Sequence, residues 1–203
     1  MPNTMSLKRS YSIIAPFYDF AIDGPLAAAR RRALAHVPPQ PAQRVLINGI
    51  GTGLDLPWLP AAHSYVGLDL TAGMLVRARA RGGALDVTLV QGDSLALPFA
   101  DAGFDLALLH LILAIVPDPV RALRETARIL KPGGRVFVMD KFLRRGQRAF
   151  FRRALSPLAA RIATRLDVVF EDIAAATPEL EIVRDEPLLA RGWIRGIELV
   201  KRA

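Results

Sequence analysis

Val45-Leu46-Ile47-Asn48-Gly49-Ile50-Gly51-Thr52-Gly53 decides the fold of this 203-residue chain. A short apolar run, the mark of a buried parallel strand, breaks into glycines at every second position. Glycine leaves the backbone open to a close-lying ligand and permits the positive φ of a tight turn. Twenty residues beyond Gly49 a second apolar run, Tyr65-Val66-Gly67-Leu68, ends in Asp69. A carboxylate at a strand end beside a glycine turn can accept both hydroxyls of a ribose. The two runs therefore describe a nucleoside pocket at the carboxyl ends of neighbouring strands. A dinucleotide fingerprint would need Gly or Ala at position 54, where Leu54 stands. The pattern is G-x-G-x-G, with no third glycine of that fingerprint to let a helix pack under a pyrophosphate. No G-x-x-x-x-G-K-[ST] occurs, which excludes a P-loop.

Working outward, strands are predicted at 44–48, 65–69, 86–91, 104–110 and 135–140. A helix over 25–37 ends at Pro38-Pro39. Thr71 is placed as N-cap of a helix over 72–82, with Met74, Leu75 and Ala78 inward and Arg77, Arg79 and Arg81 toward water. Asp118 as N-cap and Pro119 at the first position start another helix, with Val120, Leu123, Ala127 and Leu130 on one face, stopped by Gly133-Gly134. Strands alternating with helices imply a parallel sheet. After a helix near 166–176, Leu180–Leu189 and Trp193–Lys201 are joined by Arg191-Gly192 and must run antiparallel.

On these motifs the chain resembles class I S-adenosylmethionine-dependent methyltransferases over nearly its whole length. Val45–Gly53 is similar to the family's first motif and Gly67-Leu68-Asp69-Leu70-Thr71-Ala72-Gly73-Met74-Leu75 to its second. Gln91-Gly92-Asp93-Ser94 with Leu97-Pro98-Phe99 is similar to the third. Phe104-Asp105, Val116-Pro117-Asp118-Pro119 and Leu130-Lys131-Pro132-Gly133-Gly134 complete the series. The resemblance implies a Rossmann-like α/β fold: a seven-stranded, mostly parallel sheet with an antiparallel C-terminal hairpin and helices on both faces. It implies S-adenosylmethionine as cofactor, bound at Gly49, Gly51 and Gly53, with Asp69 on the ribose. Leu70 and Met74 would flank the adenine, Asp93 would meet its amino group, and Ser94 would lie beside it. One position departs from the family, which usually carries an acid two residues before the first glycine. Ile47 stands there and cannot accept a hydrogen bond, so the cofactor's ammonium must turn to the Gly49 carbonyl or the Asp55 side chain.

Length and 52% hydrophobic residues fit a single domain over 1–203, with residues 1–40 as an N-terminal helical lid and 141–166 as a basic insertion. There is no cysteine, which removes thiolate chemistry and Cys-based zinc. The histidines, His36, His63 and His110, lack metal-ligand spacing, and no metal is expected. The start, Met1-Pro2-Asn3-Thr4-Met5-Ser6, has no signal-peptide pattern, and Leu106–Val116 is too short to span a bilayer. A cytoplasmic, monomeric protein is expected, peripheral on the inner face of the membrane.

Net charge is +8, and Lys141 to Leu166 holds eight basic residues and no acid. Phe142, Leu143, Phe150, Phe151, Leu155 and Leu158 interleave with the arginines, a pattern suited to the headgroup boundary of an anionic membrane. Tyr11-Ser12-Ile13-Ile14-Ala15-Pro16-Phe17-Tyr18-Asp19 is expected as a lid, with Tyr11 and Tyr18 close to the sulfonium. Tyr18 and His110 are the catalytic candidates and, with Tyr11, are also expected at the cofactor; His110 can take a proton at neutral pH from the end of the fourth strand. The bland alternative for His110 is a hydrogen-bonded residue at the core edge.

Tyr11–Asp19, Gly49–Pro57 and Val116–Pro119 most resemble bacterial phosphatidylethanolamine N-methyltransferases and the ubiquinone/menaquinone C-methyltransferases. The acceptor implied is a lipid or small hydrophobic molecule, first of all phosphatidylethanolamine, with a quinone as alternative. A degenerate, membrane-binding relative of the fold is a third reading. Nucleic acid is not expected as partner: His110-Leu111-Ile112-Leu113 stands where an Asn/Asp-Pro-Pro-Tyr/Phe motif would be.

Overall fold

The computed structural model describes residues 24, 26–147 and 166–203. Tyr11, Tyr18, residues 1–23 of the expected 1–40 lid and residues 148–165 of the basic-aromatic run lie outside them.

Seven strands form one sheet: β1 (Arg44–Asn48), β2 (Ser64–Asp69), β3 (Asp86–Gln91), β4 (Phe104–His110), β5 (Leu130–Asp140), β6 (Leu180–Leu189) and β7 (Ile194–Lys201). Their order is β3-β2-β1-β4-β5-β7-β6. The first five are parallel, and β7 runs antiparallel to both β5 and β6. β1 sits between β2 and β4, pairing Asn48 with Leu68 and Ile47 with Leu108, so the ends of three strands open at one edge. β4 is buried nearly throughout, as a central parallel strand covered on both faces must be.

Helices cover both faces: α1 (26–34), α2 (Ala72–Arg81), α3 (Pro119–Ile129) and α4 (Phe170–Ala175). Val45 and Ile47 point to one side with Leu106, Leu108 and Phe137, where Leu34 of α1 and Ala78 of α2 meet them. Leu46, Ala107 and Val138 point to the other, against Leu123 of α3 and Phe170 of α4.

The sequence placed most elements within a few residues, and its errors have local causes. α3 starts as expected, with the Asp118 carboxylate accepting from Arg121 N at 2.9 Å. It ends at Ile129, and Leu130 already has extended dihedrals and begins β5. Pro132 drives the residue before it out of helical geometry, so the stop comes ahead of Gly133-Gly134. Thr71 stands at the N-cap of α2 as expected, but its hydroxyl makes no capping bond and instead turns back to donate to Asp69. Arg81 is half-buried, donating to the Thr52 carbonyl at 2.6 Å rather than facing water alone. α4 is shorter than the expected 166–176 helix.

Phe142 and Leu143 are fully buried, which corrects their expected place at a membrane. The Phe142 ring packs 4.9 Å from that of Phe170. Arg144 pairs with Asp185 and Arg145 with Asp172, so part of the basic run is neutralised locally. No helix among the described residues is long and apolar enough to cross a membrane.

Candidate active site

The turn after β1 is pinned first by backbone. The amides of Gly49 and Ile50 both donate to the Leu68 carbonyl, at 2.8 and 2.9 Å. Gly49 has φ +76, and a Cβ there would stand 2.8 Å from Ile112 of the loop after β4. Asp69 then shapes the turn from the neighbouring strand. One carboxylate oxygen accepts from Gly51 N at 2.9 Å, the other from the amide and hydroxyl of Thr71 at 2.9 and 2.7 Å. A carboxylate offers about four acceptor positions, so one remains open for a ribose hydroxyl, on the oxygen that meets Gly51.

Around this turn lies an open cleft at the carboxyl ends of the strands. Gly49, Gly51, Asp69, Leu70 and Met74 line it from the β1–β2 side. Asp93, Ser94 and His110 line it from the ends of the flanking strands. Asp93 accepts from Leu95 N at 2.9 Å. Ser94 donates to the buried Asn48 side chain at 2.6 Å, leaving the Asn48 amide nitrogen without a partner among the described residues. Gly53 is not among the lining residues. A Cβ on it would lie 3.0 Å from the Ala78 backbone of α2, so it is a helix-packing glycine. It does at position 53 what the dinucleotide fingerprint asks of position 54.

Beyond β4 the chain takes a strained course. Leu111 has φ 58, a left-handed conformation rare for a leucine, and its amide reaches the Met139 carbonyl at 2.7 Å. This bend swings Ile112, Ile115, Val116 and Pro117 over the cavity as an apolar lip.

His110 sits where this lip begins, 7% exposed. Its Nδ1 is 2.9 Å from the Asp55 carboxylate, at ion-pair distance but outside hydrogen-bond alignment. Its Nε2 is buried without a partner among the described residues. Arg30 of α1 donates to the other Asp55 oxygen. Burial pushes the Asp55 carboxyl up, but His110 and Arg30 outweigh it and hold the group well below the usual carboxylate range. Arg30, Asp55 and His110 line a second, smaller cleft that shares Gly49, Gly51, His110 and Leu111 with the first.

Arg30 was missed in the sequence because it hides in Arg30-Arg31-Arg32. The signal was its spacing: positions 30, 34 and 37 share a helical face, and Leu34 and Val37 are core residues. Arg31 and Arg32 are exposed.

The cavity fits an adenosine-bearing ligand: a ribose-suited carboxylate, apolar walls at Leu70 and Met74, and an acid at Asp93. Comparison with known proteins agrees. A family model described as Methyltransferase domain matches residues 46–138. The phosphatidylethanolamine N-methyltransferase of Cereibacter sphaeroides is 32% identical over 97% of this chain and 98% of its own. The demethylmenaquinone methyltransferase of Renibacterium salmoninarum is 37% identical, over 63% of this chain and 55% of its own. A solved S-adenosylmethionine-dependent methyltransferase from Mesorhizobium loti shares the fold with TM-score 0.67 and 20% identity, covering 88% of this chain and 99% of that one. The chain belongs to the S-adenosylmethionine-dependent methyltransferases, and S-adenosylmethionine is its cofactor.

Proposed function

We propose that the protein N-methylates phosphatidylethanolamine or a closely related membrane lipid. The observation that carries this reading is the co-linear match, nearly end to end on both chains, with the Cereibacter sphaeroides enzyme. Quinone-directed relatives are matched less completely, over 55% of the Renibacterium salmoninarum enzyme and 73% of one from Mycobacterium sp. (strain KMS). The apolar lip from Ile112 to Pro117 also suits an acceptor that carries hydrocarbon.

When bound, S-adenosylmethionine supplies a methyl group already activated by its sulfonium. The protein's task is then to align, to exclude water and to move one proton. Asp69 would hold the ribose, Leu70 and Met74 would flank the base, and Asp93 would meet its amino group, while Ser94 is braced by Asn48. Gly49 and Gly51 let backbone approach the ligand. An ammonium has no lone pair, so the acceptor must lose a proton for its nitrogen to react. His110 Nε2, buried and unpartnered at the meeting of both cavities, takes that proton, with Asp55 steadying the imidazolium. Tyr11 and Tyr18, outside the described residues, are proposed to act on the cofactor's sulfonium, and the basic residues beyond Gln147 to favour anionic headgroups at the inner face of the membrane.

The test is purified protein with S-adenosylmethionine and vesicles of phosphatidylethanolamine, phosphatidylglycerol and demethylmenaquinone, read by mass spectrometry. Methylated ethanolamine headgroups are expected. Methylation of the quinone with the phospholipid untouched would replace this reading by the quinone one, and inertness toward both would favour a degenerate enzyme.

A further inference from the structure

The methyltransferase site has a zwitterionic ligand to hold, since the cofactor ends in an ammonium and a carboxylate. Position 47 does not serve it. Ile47 is 2% exposed, packed in the apolar layer with Leu34, Leu108 and Phe137. The acid that β1 lacks stands instead beyond the glycine turn. We propose that Asp55 and Arg30 hold the amino-acid end of S-adenosylmethionine, the Asp55 carboxylate accepting from its ammonium and the Arg30 guanidinium donating to its carboxylate.

Three observations converge on this. The first is position: the smaller cavity shares Gly49 and Gly51 with the adenosine-side cavity, so a ligand laid across the turn passes from one to the other. The second is charge. Arg30, Asp55 and His110 are the titratable residues lining that smaller cavity, and they present one fixed cation and one fixed anion side by side, the complement of a zwitterion. The third is unfilled bonding capacity. Arg30 Nε is buried with no hydrogen-bond partner among the described residues. Asp55 precedes the short 3-10 turn Leu56–Trp58 yet does not cap it with its side chain. Arg30 fills one of the roughly four acceptor positions of its carboxylate, and His110 stands at ion-pair distance from the other oxygen.

Stability alone is a poor reason to keep such a pair. A buried ion pair roughly balances its own desolvation, and apolar residues would fill the space as well. Recognition gives the pair a purpose, because the desolvation is met in advance and the guanidinium is already oriented when the ligand arrives. His110 on the far side of Asp55 ties this anchor to the place where the acceptor reacts.

Calorimetry on the full chain tests the proposal with two ligands. S-adenosylhomocysteine carries the amino-acid group; 5′-methylthioadenosine keeps the adenosine and the sulfur without it. The unaltered protein should bind the first at least about tenfold more tightly. Asp55→Asn and Arg30→Gln should each weaken S-adenosylhomocysteine roughly ten- to hundredfold, while 5′-methylthioadenosine stays within about twofold. The unchanged second affinity also certifies that the variants are folded. Arg30→Lys, which keeps the charge, should recover part of the loss.

Equal affinity of the unaltered protein for both ligands would overturn the proposal without any variant. So would variants that lose both ligands in step, since that is damage to the fold rather than to an anchor. Binding of both ligands with the expected difference, but no methylation of phosphatidylethanolamine, would leave the anchor standing and remove only the proposed acceptor.

Discussion

Gly53→Ala separates two jobs that the glycine turn performs. Gly53 has φ +81, and a Cβ there would lie 2.9 Å from Leu56 and 3.0 Å from the Ala78 backbone. Left-handed backbone costs a side-chain-bearing residue about 1–2 kcal/mol. Pressing a methyl against a helix backbone adds about 1–3 kcal/mol. The stiffer unfolded chain returns about 0.4–1 kcal/mol. The net loss spans about 1–4.5 kcal/mol and centres on ~3 kcal/mol, a fall in melting temperature of roughly 6–12 °C for a chain of this size. Gly51→Ala is the control. Its φ is +58, but nothing lies within 4 Å of the added Cβ. Only backbone strain remains, about 1 kcal/mol after the same return, or roughly 2–4 °C. Yet Gly51 lines the cavity and Gly53 does not. Thermal melts paired with S-adenosylhomocysteine titration should therefore cross: Gly53→Ala melts early and keeps its affinity within about threefold, whereas Gly51→Ala melts near normal and loses at least about tenfold. A Gly53→Ala protein that melts within 2 °C of the original, about 1 kcal/mol or less, yet fails to bind would refute the division.

Asp69→Ala should weaken S-adenosylhomocysteine by roughly 2–3 kcal/mol through lost bonds to a charged acceptor, and an unchanged dissociation constant would remove Asp69 from the ribose. His110→Gln should lower kcat about 10²–10⁴-fold with cofactor affinity nearly intact; an unaffected kcat would return His110 to the role of a core-edge residue. Phe142→Ala should cost about 3–5 kcal/mol in chemical denaturation and leave vesicle binding unaltered, whereas release from vesicles without destabilisation would restore it to a membrane face. The lowered pKa of Asp55 means that its stabilisation is complete above the unfolded carboxyl value of about 3.9 and fades as pH falls further. The melting-temperature gap between Asp55→Asn and the original should accordingly be steady from pH 8 to pH 5, by the same reference value, and narrow below pH 4; a constant gap would show the carboxylate is not held charged.

The parallel half of the sheet was legible because each of its strands is a short apolar run closed by a turn signal. Asp118-Pro119 likewise announced α3. What the sequence hid were residues whose meaning depends on a partner far along the chain. Arg30 looks like its two neighbours until α1 is docked and one of the three faces inward. Phe142 looks like a membrane aromatic until Phe170 meets it. Thr71 is a plausible cap in one dimension, but a strand-end carboxylate two residues earlier takes its hydroxyl first. Gly53 reads as one more flexible turn residue, and only the approach of α2 shows it to be a spacer. Ile47 was visible as a missing acid; that it faces the apolar layer, and that Asp55 carries the charge instead, required the register of β1 against β4.

β7 lies inside the sheet, between β5 and β6, although it is the last strand in the chain. During synthesis β5 emerges from Leu130 onward with one flank paired to β4 and the other open, and the strand that closes it begins only at Ile194. An unpaired flank of that length is a template for stray strands from other chains. Loop closure over so long a separation is also slow compared with pairing of adjacent hairpin partners. Because β6 and β7 are hairpin neighbours, local pairing is the shorter closure, and it presents β7 to β5 as one unit. Once docked, it leaves β6 as the outer border, where Glu181, Arg184, Glu186 and Pro187 make a poor seat for further strands. The same hairpin thus acts as a late-arriving seam and as a guard against aggregation, and variants that loosen it should show their harm first in the yield of nascent protein.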